Sequence, residues 1–266
     1  MKRSLLKILL SITVILAVAA GPLSAQQIAD LEHIASAYKV PVLYGRFTAS
    51  SYARRYAKWD YLTDKDTTEL KAFAVVFREE WSKYPVSWIR ATGIRRIIIV
   101  KNLIVTGQKR AAMPDYGENA LYLDISFNGP GGFYMRHVIH HEFFHLVDYF
   151  LNRSKYGHDP EWEKLNPKGF RYGKGGETAY TDKATAEFAA KRHPMDGFVN
   201  GYSTLSIMED KAEIYASLMQ DKKYRQLMQW AKEDRILAAK VKLLIRFLHS
   251  RCPDMGENYF HSLHKS

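Results

Sequence analysis

The stretch from Val138 to Phe150, VIHHEFFHLVDYF, sets the strictest condition on any fold of this chain. It reads as an apolar helix, yet it carries His141, Glu142, His145 and Asp148. Burying a polar group without a partner costs roughly 2–7 kcal/mol, and a charge costs more. At helical spacing Phe143, Val147 and Phe150 form one apolar stripe, while His141, His145 and Asp148 form a separate polar one. A fold that buries this helix must bring partners to the polar stripe, and a metal ion is the simplest partner.

In an α-helix His141 and His145 lie about 40° apart around the axis and one turn apart along it, so both imidazoles can share one ion. Glu142 lies about 100° round from His141, beside such an ion but poorly placed to bind it. This is the HExxH arrangement: two imidazole ligands for Zn²⁺ and a carboxylate positioned to take a proton from a water that the ion activates. Asp148, three residues beyond His145, is placed to accept the free N–H of an imidazole. His137 and His140 fall outside the HExxH spacing and read as surface or packing residues.

A third ligand is required, and a carboxylate on a later helix is the obvious source. MEDKAEIYASLM offers Glu209 and Glu213 one turn apart on the same face, with the small Ala212 and Ala216 beside them. The apolar stripe Met208, Ala212, Tyr215 and Met219 buries the flank of that helix and puts both glutamates at the edge of the core. Spacing leaves the choice between them open. The metzincin continuation is excluded, because it needs Gly and His where the chain has Asp148 and Leu151.

HEFFHLVDY with the downstream YSTLSIMEDKAE resembles the catalytic domain of anthrax lethal factor and related bacterial gluzincin metallopeptidases. There an HExxH helix ends in a Val-Asp pair, and a later helix reads Glu-x-x-Ala-Glu with a tyrosine seven residues before its first glutamate. The resemblance, over roughly residues 115 to 220, implies a zincin-like fold with one Zn²⁺ per chain. It implies His141, His145 and Glu209 as zinc ligands, Glu142 as general base and Glu213 as a supporting carboxylate. It also implies that Tyr202 supports the oxyanion or leaving group, and that ALYLDIS is the strand along which a peptide aligns. Two departures bear on the shape of the cleft: Phe144 stands where many relatives carry glycine, and the segment between Asp148 and Tyr202 is long.

The remainder of the chain is consistent with one domain. At 266 residues with 47% hydrophobic composition, a sizeable core is feasible. IADLEHIASAYK and TTELKAFAVVFREEWSKYP read as amphipathic helices, RRIIIVKNLIV and ALYLDIS as strands. NGPGG precedes the HExxH helix, which is expected to end near Gly157. Residues 158 to 203 read as an extended loop with some short helix, and the chain is helical again from about Leu205. The expected class is α+β: a small sheet preceding the HExxH helix, then a helical C-terminal half.

The basic Lys2, Arg3 and Lys7, the apolar run from Ile8 to Ala20 and the Leu23-Ser24-Ala25 exit read as a secretory signal over residues 1–25. The catalytic domain would then occupy 26–266, exported to a periplasm or secreted, with no stable membrane insertion. Cys252 is the only cysteine, which excludes an internal disulfide and a cysteine-based metal site. Removing Lys2, Arg3 and Lys7 lowers the formal charge from +11 to +8, spread along the chain without a nucleic-acid motif. The expected function is an exported zinc-dependent endopeptidase acting on a peptide or protein substrate. The alternative is a non-catalytic exported zinc-binding or scaffold protein that retains the site.

Overall fold

The strand expected at RRIIIVKNLIV is the spine of the sheet in the computed structural model, which describes residues 28–127, 129, 132–152 and 158–265. The expected signal segment 1–25 lies outside the described residues. The N-terminal part contains α1 (Ala29–Tyr38), β1 (Val42–Tyr44), α2 (Ser51–Tyr56), β2 (Ala57–Asp60), α3 (Thr67–Trp81) and α4 (Val86–Thr92). The strands β3 (Arg96–Val105), β4 (Gln108–Lys109), β5 (Ala112–Asp115) and β6 (Ala120–Asp124) follow. Then come α5 (Phe133–Leu151), α6 (Pro160–Glu163), α7 (Lys183–Ala189), α8 (Ile207–Leu218), α9 (Asp221–Trp230), α10 (Arg235–Arg251) and α11 (Glu257–Leu263). The class is α+β, as the sequence implies, and α5 ends several residues before Gly157.

The main sheet runs β1-β3-β6-β5, with β1 and β6 parallel to β3 and β5 antiparallel to β6. Only the first half of β3 belongs to it. The second half pairs with β2 and folds back on β4 through the two-residue turn Thr106-Gly107, both at positive φ, as such a hairpin requires.

Successive side chains of a strand point to opposite faces. Ile97, Ile99, Leu121 and Leu123 enter the large core under the helices, whereas Ile98, Val100, Ala120 and Tyr122 enter a smaller cluster with Phe47 and Trp59. Burial on both faces explains the apolar run of β3 at residues 97–100. On the helical side, Phe143 and Val147 of α5 are fully buried with Trp81 of α3, and Phe150 is half-buried. Each such side chain stabilises the fold by roughly 1.5–3 kcal/mol. Among the described residues, no helix is long and apolar enough to cross a membrane.

Candidate metal centre

Helix α5 lies against α8, and the two helices supply the polar groups that face each other. The start of α8 is set by Ser206, whose side chain accepts the Glu209 N–H at 3.2 Å as an N-cap. Glu209 therefore sits in the first turn, where the helix dipole favours a carboxylate. The Nε2 atoms of His141 and His145 are 3.1 Å apart. Oε2 of Glu209 lies 2.9 Å from the first and 3.4 Å from the second.

Ligand atoms around a tetrahedral zinc, with bonds of 2.0–2.1 Å, stand about 3.3 Å apart. The His141–His145–Glu209 triangle thus has the size of one face of that tetrahedron, and its two-imidazole, one-carboxylate chemistry suits such an ion. Burial works against ionisation of Glu209, but His145 and His141 outweigh it and hold the carboxyl far below its usual range. Burial likewise opposes protonation of His141, yet Glu209 and Glu213 raise its pKa well above the ordinary value. A metal ion at this position would replace that proton.

Glu213, one turn further along α8, supports the other side of His141. Its Oε1 is 2.9 Å from His141 Nδ1, though out of line for a hydrogen bond, and 2.8 Å from His137 Nε2. Asn200 donates to its other oxygen at 2.7 Å. Burial lowers the pKa of His137, consistent with a neutral ring that accepts from Lys223 Nζ at Nδ1 (2.7 Å) and donates to Glu213. His137, His141 and Glu213 are also close enough to hold an ion. The ammonium beside His137 and the Asn200 contact already occupy that group, so the Glu209 side of His141 is the better metal site.

Asp148 departs from expectation. Its carboxylate accepts from Lys211 at 3.2 Å and Asn152 at 2.9 Å, while His145 Nδ1 has no hydrogen-bond partner among the described residues. Lys211 is itself drawn inward by Asp159, 2.7 Å away. Asp210 and Lys211 are not surface residues but 0% and 2% exposed. Asp210 pairs with the fully buried Lys240 at 2.7 Å and accepts from Trp162 and Tyr172. His137 and His140 are buried as well, the latter between Tyr84 and Glu80.

A cleft of about 260 Å³ opens beside His141, lined by Glu142, Tyr202, Tyr134 and Tyr180 among others. Burial raises the Glu142 carboxyl above its usual value, opposed by His145 and His141. The Tyr202 ring centre is 6.0 Å from that of His141, and burial raises its pKa well above the ordinary phenol, leaving it a donor. The segment 158–203 contributes Tyr180, Asn200 and Tyr202 to the wall of the cleft. The Gly173 and Gly175 N–H groups donate to Thr204 and Leu205, and the helical turn Gly176–Tyr180 carries Gly176 against Glu209. A Cβ on Gly176 would collide with Glu209 Oε1 and the Tyr202 hydroxyl.

Two expectations about the cleft are corrected. Phe144 does not shape it: the ring is fully buried against Tyr215 of α8, centres 4.7 Å apart. Nor can a peptide pair with β6, because β3 and β5 occupy both of its edges. The outer strand beside α5 is β5.

The fold is shared with a solved protein. The chain superposes on the structure of a putative zinc-binding metallo-peptidase from Bacteroides caccae with a TM-score of 0.53 at 18% identity, covering 88% of this chain and 87% of that one. No protein-family model matches the chain, and no curated protein matches it.

The sequence reading missed His137, Asn200, Gly176 and the Lys211–Asp159 pair. Only His137 had a signal, since it precedes His141 by the same four residues that separate His141 from His145. The others are brought in by the long segment between α5 and α8, whose path no periodicity encodes.

Proposed function

We propose that the protein is an exported zinc-dependent endopeptidase of the gluzincin type, akin to the lethal-factor catalytic domain in its site. The observation that carries the reading is the convergence of His141 Nε2, His145 Nε2 and Glu209 Oε2 at the spacing of a zinc tetrahedron, with Glu142 and Tyr202 lining the cleft beside them. A bound ion would supply Lewis acidity, polarising the scissile carbonyl and making an adjacent water acidic enough to deprotonate near neutral pH.

The chain's own groups perform the rest. Glu142 takes the proton of the attacking water and passes it to the leaving amine, a task favoured by the burial that raises its pKa. Tyr202, held protonated, donates to the oxygen that gains negative charge. Glu213 places its charge 2.9 Å from His141 Nδ1, and Asn200 and His137 fix Glu213.

The test is cleavage of a peptide library by the mature protein and by Glu142→Gln. The variant should retain stoichiometric zinc and lose activity by about 10²–10⁴-fold, the scale of a general base. Equal cleavage by both proteins would remove the mechanism.

A further inference from the structure

A second cavity of about 480 Å³ joins the cleft described above. Tyr134, His137, Asn200, Glu213 and Lys223 line both, so the two are compartments of one depression. The charge lining the second compartment is lopsided. It receives Arg192 from the segment before α8 and Lys222 and Lys223 from the first turn of α9. Its only carboxylate is Glu213, which is already engaged by His137 and Asn200.

Among the described residues, neither Arg192 nor Lys222 has an acidic partner, whereas Arg78, Arg96, Arg136 and Arg246 each have one. Lys223 is turned inward onto His137 and is partly buried; burial lowers its pKa, with Glu213 opposing the fall and Arg192 adding to it. Cations gathered at the mouth of a partly enclosed cavity repel one another until an anion arrives. The apolar part of the wall, Ala189, Ala190, Val199 and the ring of Trp230 stacked on His193, suits the methylenes of a short side chain.

We propose that this compartment is a substrate subsite for a carboxylate, so that the enzyme selects peptides bearing an acidic residue, or a free C-terminus, close to the scissile bond. The proposal rests on the peptidase reading for its substrate, but the subsite itself is a matter of binding. A carboxylate entering it would accept from Arg192 and Lys222 and settle near Lys223, which contacts His137, the residue one turn of α5 before His141.

The experiment uses the zinc-loaded mature protein and matched peptides that differ by Glu→Gln at single positions, each with a free or an amidated C-terminus. The expected result is a kcat/KM about tenfold higher for one carboxylate position, the scale of one charge-assisted hydrogen bond. Preference that follows the Glu identifies a side-chain carboxylate; preference that follows the free terminus identifies the C-terminal one. Arg192→Glu should abolish the preference for the carboxylate-bearing peptide. Cleavage with equal kcat/KM across the set, unchanged in Arg192→Glu, overturns the subsite and leaves the peptidase reading standing. A parallel measurement follows binding of the same peptides, fluorescently labelled, to Glu142→Gln by anisotropy. Selective binding of the acidic peptides that Arg192→Glu abolishes, in a protein whose wild type cleaves nothing, supports the subsite and removes the peptidase reading. Equal binding of acidic and neutral peptides removes the subsite.

Discussion

Gly176 shows how narrowly the candidate site is built at the level of single atoms. It makes no hydrogen bond to the ligands, yet its missing side chain is what lets Glu209 and Tyr202 approach the segment that covers them. Gly176→Ala should displace the Glu209 carboxylate and weaken zinc binding by about 10–100-fold, the usual effect of disturbing a ligand's supports. Competition with a chromogenic chelator measures this, and unchanged affinity would show that the close approach is not needed. Residues of this kind explain the uneven legibility of the site. His141, His145 and Glu142 follow from spacing on one helix, and Glu209 from a recognisable later helix. Gly176, Asn200 and Lys211 act through contacts between segments far apart in sequence. The place of Asp148 on α5 follows from spacing, but its partner Lys211 comes from another element.

At the scale of elements, α8 is the axis of the molecule. All of its residues except Met208 are buried, so its charged side chains must each find a partner inside. Glu209 and Glu213 face α5, Lys211 reaches Asp148 and Asp159, and Asp210 reaches Lys240 of α10. A sequence rich in acids reads as amphipathic, which is why one buried flank was expected instead of burial all round. Removing one member of a buried ion pair leaves a charge that nothing neutralises. Lys240→Met should therefore cost about 3–5 kcal/mol in urea unfolding, with an unchanged m-value. A loss below 1 kcal/mol would mean that Trp162 and Tyr172 satisfy Asp210 without the lysine. The sheet was legible where its strands are long and buried on both faces, as in β3 and β6. The short β1, β2, β4 and β5 have too few residues to show a period, and their pairing is set by β3 and β6.

For the molecule as a whole, pH couples the core to the site. His140 is fully buried, and burial lowers its pKa from 6.5 to about 4, opposed by Glu80. It stays neutral, donating to Glu80 and accepting from Tyr84. The unfolded chain takes up this proton below pH 6.5 and the folded chain does not until about 4, so stability falls as pH drops through that window. Burial raises the Glu80 pKa, but His140 and Lys83 outweigh it and lower it from 4.5 to about 2, which extends the loss to lower pH. The raised pKa of His141 acts elsewhere: its contribution to the metal-free protein is complete below pH 6.5 and is lost above it, as pH rises through the folded value. Urea melts of the metal-free protein between pH 6 and 4.5 should show stability falling by about 1.4 kcal/mol per pH unit from His140. A flat profile would mean that His140 protonates within the fold.

The central claim is that α5 and α8 meet around one ion. An anomalous-difference map from a crystal of the zinc-loaded protein, recorded at the zinc absorption edge, tests it most directly. One peak per chain is expected at about 2.0–2.2 Å from His141 Nε2, His145 Nε2 and a Glu209 oxygen. A peak on the other side of His141, between His137 and Glu213, or no peak at either position in zinc-saturated crystals, would contradict it.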